Sequence, residues 1–159
     1  MFTIKKVTAE DIPLIRDLCL RVWPQTYASI LPQDRIDYML EYMYSPASLE
    51  KQINAGSQFI FVYNDEEPVG FAAYLSKGNG IYKLDKIYIL PSQQGKGTGR
   101  FVIDYIIDEI KQYGATALQL QVNRNNKAKD FYEKFGFTVI DFQVFDIGHG
   151  HFMDDYVME

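Results

Sequence analysis

The segment Leu90-Pro91-Ser92-Gln93-Gln94-Gly95-Lys96-Gly97-Thr98-Gly99-Arg100 joins a strand pattern to a helix pattern through glycines, and its chemistry is anion binding. Ile81 to Leu90, rich in Ile, Leu and Tyr and bounded by Gly80 and Pro91, reads as a buried strand. Phe101, Val102, Tyr105, Ile106 and Ile110 recur at helical spacing, which puts the glycines at a helix N-terminus. The first N–H groups there lack intrahelical partners and the positive end of the macrodipole points outward, so a phosphate is favoured. Glycine lets that backbone approach closely. No Ser or Thr directly follows Lys96, which excludes a Walker loop. A dinucleotide fingerprint counted from Gly95 ends on Arg100, and from Gly97 on Val102, which excludes that as well. What remains is Gln94-x-x-Gly97-x-Gly99.

A second block, Val122 to Phe137, carries Asn125, Ala128, the aromatic pair Phe131-Tyr132, then Glu133, Lys134, Gly136 and Phe137. In this order, and about a helix and a strand apart, the two blocks resemble the two halves of the cofactor site in the GNAT superfamily of acetyl-CoA-dependent N-acyltransferases. The resemblance implies an α/β (α+β) GNAT fold: a mixed, mostly antiparallel sheet of six to seven strands with helices on both faces, forming a single domain over residues 1–159. It implies acetyl-CoA as co-substrate and no metal. Gln94, Gly95, Lys96, Gly97, Thr98, Gly99 and Arg100 would hold the pyrophosphate. The backbone of Ile87, Tyr88 and Ile89 would hold the pantetheine arm and polarise the thioester. Tyr132 matches the general acid, with packing of helix on sheet as its other role. Asn125 would bind cofactor or cap a helix. Lys96, Arg100 and Lys134 would screen phosphate charge or simply face solvent.

A free alkylamine with pKa near 10.4 is almost wholly protonated at pH 7, so transfer also needs a proton acceptor. Asp85 is the first candidate, on the cofactor strand in alternation with Lys83 and Ile87. His149 and His151 are further candidates, as base or as metal ligands, although no clustered residue completes a zinc set. The acceptor segments are expected at Trp23-Pro24-Gln25-Thr26-Tyr27, the helix carrying Asp34, Asp37, Tyr38 and Tyr42, and the terminal strand with Asp154 and Asp155. These are similar, more loosely, to small bacterial polyamine-type acetyltransferases. A small cationic primary amine is therefore the leading acceptor, with amino acids, aminoglycosides and peptide or protein amines open. A CoA-sensing module without turnover is the alternative of a different class.

The elements that must position these residues alternate along the chain without repeat or linker. Thr3 to Val7 reads as a strand, and Thr8 with Asp11 as a capping box opening a helix through Trp23. Helices follow over about 33–43 and from Ser45-Pro46 to near Gly56. Strands over 58–63 and 69–76 flank a turn at 64–68, and Lys77-Gly78-Asn79-Gly80 turns into the cofactor strand. A strand over 116–122, a helix over 126–134 closed by Gly136, and strands over 139–145 and 152–158 complete the chain. At 159 residues this is one domain with a full core. No apolar run nears the roughly 20 residues of a membrane span and no signal peptide is visible, so a cytoplasmic, non-membrane protein is expected. A net charge of -5 argues against nucleic acid and for a cationic or neutral small-molecule partner; self-association into a homodimer is left open. Cys19 excludes an internal disulfide and, beside Ile12, Ile15 and Val22, reads as a buried inert thiol.

Overall fold

The structure, a computed structural model, describes every residue except His149, and every side chain except those of His149, Gln25, Thr26 and His151. Local signals set the element boundaries. Strand β1 (Phe2–Lys6) ends before a capping box in which Thr8 N donates to Asp11 Oδ2 at 3.0 Å, followed by a short 3-10 turn and helix α1 (Ile12–Tyr27). The helix does not stop at Trp23. It runs through Pro24 for another turn, with Ala28 N donating to Pro24 O at 3.0 Å. A proline costs one intrahelical bond, and here the burial of Trp23 and Tyr27 outweighs it. Helix α2 (Gln33–Tyr44) leads into α3 (Pro46–Asn54), whose Ser45 cap accepts from Ser48 N at 3.2 Å.

The remaining elements are β2 (Gln58–Asn64), β3 (Glu67–Ser76), β4 (Ile81–Ile89), α4 (Thr98–Lys111), β5 (Ala117–Asn123), α5 (Ala128–Phe135), β6 (Val139–Gly148) and β7 (His151–Met158). All seven strands form one sheet in the order β1-β2-β3-β4-β5-β7-β6. Among the described residues only the β4–β5 pair is parallel. Helices α1, α2 and α3 cover one face around Ile15, Leu18, Trp23, Ile36, Leu49 and Phe71. On the other face α4 buries Val102, Ile103, Ile106 and Ile110 against Ile60, Leu84, Leu120 and Met158, with Tyr132 and Phe137 from the α5 region. Among the described residues no helix is long and apolar enough to cross a membrane.

Two irregularities of the sheet position the site. Strand β4 pairs with β3 from Ser76↔Tyr82 to Gly70↔Ile89, but with β5 only over Ile81–Leu84. Beyond Leu120, β5 turns its hydrogen bonds to β7, from Leu120↔Met158 to Asn123↔Asp155. The sheet therefore opens between the second half of β4 and the end of β5, and alternate backbone groups of Asp85 to Ile89 face that opening without a strand partner. The second irregularity is a bulge: Ala73 pairs with Lys86 and Tyr74 with Leu84, so Asp85 is the extra residue. Simple alternation along β4 is thereby broken. Tyr82 and Leu84 pack on the α4 face, and after the bulge Ile87 and Ile89 do, while Lys86 and Tyr88 pass to the α1 face.

Candidate active site

Gly97 caps α4 in the left-handed region at φ 80°, and Gly95 before it has φ 81°, conformations that side chains of other residues adopt only with strain. Among the described residues, no backbone or side-chain acceptor meets the N–H groups from Gly95 to Arg100. Consecutive free N–H groups on a turn and a helix start form a concave, positively polarised nest for an oxyanion. Gly99 serves another purpose: a Cβ there would sit 3.3 Å from Phe131 Cζ, so its absence lets α4 and α5 close on each other. Thr98 is buried with its hydroxyl on Gln93 O at 3.4 Å, which leaves only its backbone for a ligand. Gln94 and Lys96 lie on the loop, Lys96 exposed. Arg100 stacks over the Phe135 ring at 4.6 Å, and Lys134 is exposed in the last turn of α5.

On the α1 side of the sheet, aromatic side chains cluster beside β4. Tyr27, from α1, and Tyr88, from β4, bring their hydroxyl groups to 3.5 Å. Burial raises the pKa of Tyr27, the Tyr88 hydroxyl offsets part of the rise, the Asp155 carboxylate adds to it, and the Asn126 side chain also faces this phenol. Tyr132 comes from α5, on the opposite layer, and is 8% exposed. Its pKa is raised first by burial and then by Tyr27. Trp23, buried against Tyr27 at 4.4 Å between ring centroids, and Tyr44 complete the aromatic wall; among the described residues the Trp23 Nε1–H and Tyr44 hydroxyl find no hydrogen-bond partner.

The acidic residues separate into distinct environments. Asp85 is held by Lys86 at 2.5 Å and by Lys83 at 3.4 Å. Burial pushes its pKa up, but the two lysines outweigh this and the carboxyl ends below its usual range. Lys86 is itself 7% exposed, donates to Gln52 Oε1 at 2.7 Å and lies over the Tyr44 and Phe59 rings. Asp155, on β7 opposite Asn123 of β5 and Gln143 of β6, is 4% exposed, and its Oδ1 has no partner among the described residues. Burial, with Asp154 adding and Lys83 opposing, leaves its carboxyl pushed up to about 6.

Of the residues expected around the acceptor, the structure brings Trp23 and Tyr27 to this cluster. Asp34 is exposed at the start of α2, and Asp154, half-buried, points to the other face of β7 and pairs with Arg124 at 3.7 Å. Asn125 is exposed, while Asn126, not Asn125, satisfies the start of α5 by accepting from Ala128 N at 2.9 Å. Asp155 was named in the sequence only as one of several acceptor-side carboxylates; adjacent acids on a strand face opposite ways, and only the β5–β7 register decides which is buried. Cys19 is fully buried, and burial pushes its thiol pKa up. The expectation for the two histidines lies outside the described residues: His149 wholly, His151 by its side chain.

Comparison with known proteins agrees with this geometry. Residues 28–152 match the Acetyltransferase (GNAT) domain family. An uncharacterized N-acetyltransferase of Mycobacterium bovis is 31% identical over 96 residues, 60% of this chain, and the matched stretch spans 61% of that relative's length. A spermidine N(1)-acetyltransferase of Thermoplasma acidophilum is 26% identical over 144 residues, covering 87% of this chain and 89% of the relative. Among solved structures, the PaiA N-acetyltransferase of Thermoplasma acidophilum in complex with coenzyme A superposes with a TM-score of 0.83, covering 99% of this chain and 97% of that one at 24% identity. With its nest at the start of α4 and its split between β4 and β5, this chain belongs to the GNAT acetyltransferase family.

Proposed function

We propose that residues 1–159 act as a single catalytic domain that moves an acetyl group from acetyl-CoA to a primary amine of a small molecule, directly within a ternary complex. The observation that carries this reading is the alignment of the unpartnered N–H groups of Gly95 to Arg100 with the unpartnered edge of β4. The nest suits the pyrophosphate, with Gln94, Lys96 and Arg100 beside it and Asn125 and Lys134 on α5 and its approach. The free backbone of Ile87, Tyr88 and Ile89 suits the amides of the pantetheine arm, and a strand N–H there would polarise the thioester carbonyl. In this reading the arm ends in the gap beside β4, within reach of Tyr132, whose pKa burial and then Tyr27 raise.

In this reading the amine nitrogen attacks the thioester carbon, the C–S bond breaks, and the thiolate takes the Tyr132 proton. The raised pKa of Tyr132 keeps that proton in place at neutral pH. A thiolate whose conjugate acid has a pKa near 8.5 is already a fair leaving group, so the donor adds modestly. Asp85, held between Lys83 and Lys86, has its basicity reduced and serves to fix the bulge that starts the gap.

For the acceptor, the observations that favour a small cationic amine are the buried acid Asp155, whose charge raises the Tyr27 pKa, the net charge of -5, and the similarity to a spermidine acetyltransferase. A thiol-release assay with spermidine, short diamines, amino acids and a peptide, each at low and high salt, tests this. Preference for the polyamines, weakening with salt, is expected. A preference for the peptide or for an uncharged amine contradicts the small-cation reading, and no thiol release with any amine contradicts catalysis.

A further inference from the structure

We propose that the Asp155 carboxylate is the group that takes the proton from the acceptor ammonium. The inference rests on the acyl-transfer reading above. Asp155 is buried at 4% exposure, and its Oδ1 finds no donor among the described residues. A buried carboxylate oxygen without a donor is costly, and such groups persist in a fold where they have work to do on a ligand. Its position is that of the gap. It pairs across β5 with Asn123, the last residue before the chain leaves the sheet, and it is felt by Tyr27 on α1 and feels Lys83 on β4. The charged or titratable groups that act on it are Tyr27 from α1, Lys83 from β4 and, from the other face of β7, its neighbour Asp154; Asn123 and Gln143 are its neutral partners in register.

Asp85 is a poorer acceptor for that proton. Both its oxygens are engaged, by Lys83 and by Lys86, whereas Asp155 keeps one oxygen free, and burial has made it the more basic of the two. The step balances as follows. The ammonium gives one proton to Asp155 and becomes a neutral amine. The amine nitrogen bonds to the thioester carbon, the C–S bond breaks, and the thiolate takes the Tyr132 proton. The nitrogen's surplus proton returns to the Tyr132 phenolate, and Asp155 releases its proton to solvent, so amide, CoA thiol and one proton leave.

The test is the pH dependence of kcat/KM for the best amine, in the full chain. With Asp155 as base, the wild type rises through a limb near the Asp155 pKa and is then flat until the amine itself titrates near pKa 10. In Asp155→Asn the plateau disappears: the rate follows the free amine and climbs about tenfold per pH unit over the same window. The loss is then about 10²- to 10³-fold at pH 7 and shrinks towards pH 10. Acetyl-CoA affinity by calorimetry stays within about twofold, and Asp155→Glu recovers a plateau. A loss uniform at every pH, or an unchanged profile, overturns the assignment, as does a plateau lost in Asp85→Asn and kept in Asp155→Asn. A wild type that binds acetyl-CoA but acetylates no amine overturns the acyl-transfer reading itself.

Discussion

Replacing Asp155 by Asn should stabilise the folded protein at pH 8, and the size of the effect follows from its surroundings. Burial lifts the carboxyl from an ordinary 3.8 to about 6. A shift of about two units at about 1.4 kcal/mol each means that ionised Asp155 opposes folding by about 3 kcal/mol. The sign follows from the folded pKa lying above the unfolded one. Stability from this group is fully present below pH 3.8 and is lost as pH rises through about 6. The asparagine amide brings N–H donors into the same buried site, which returns roughly 1–2 kcal/mol of that gain if they stay unpaired. The net expectation at pH 8 is a stabilisation of about 1–2 kcal/mol, or a rise in Tm of roughly 2–8 °C for a chain of this length. Thermal unfolding of both proteins from pH 4 to pH 8 measures it, since every other titrating group cancels in the difference. The variant should be the less stable of the two at pH 4, cross the wild type near pH 5 and reach its full advantage above about pH 7. A variant that is less stable at pH 8, or a difference that does not change with pH, would refute the reasoning and make Asp155 a structural residue.

Tyr132→Phe should lower turnover by up to ~10²-fold while leaving the dissociation constant for acetyl-CoA nearly unchanged, because only the proton donor is deleted; equal turnover of the two proteins makes Tyr132 a packing residue. Ile103→Ala, in the fully buried α4 face, should cost about 2–5 kcal/mol in denaturant unfolding with no change in the slope, and a cost under 1 kcal/mol contradicts the packing described.

What could be read from the sequence was what is local. The glycines at 95, 97 and 99 follow a strand and precede a helix within one stretch of chain, so the anion site needs no knowledge of the sheet. The same holds for the capping box at Thr8 and the Ser45-Pro46 helix start. The parts that were not legible depend on pairing between distant segments. The bulge at Asp85 exists only against Ala73 and Tyr74 of β3, and it reverses the faces that strict alternation assigns to Ile87 and Ile89. The insertion of β7 between β5 and β6 selects Asp155 over Asp154 for the interior. On β7, Met153 and Val157 flank one acid as Phe152 and Tyr156 flank the other, because helices cover both faces of the sheet, so apolar alternation favours neither. Pro24 misled in another way: propensity ends the helix there, and tertiary packing of Trp23 and Tyr27 carries it onward to deliver the Tyr27 phenol.

The central claim is that the loop of Gly95 to Arg100 holds the pyrophosphate of acetyl-CoA. Titration calorimetry of acetyl-CoA into the wild type and into Gly97→Glu tests it most directly. At φ 80° the glutamate backbone is strained, and its carboxylate lies among the N–H groups that should receive phosphate. The account predicts measurable binding by the wild type and none by a variant that still unfolds cooperatively. Equal affinity in a folded Gly97→Glu protein, or no binding by the wild type, would contradict it.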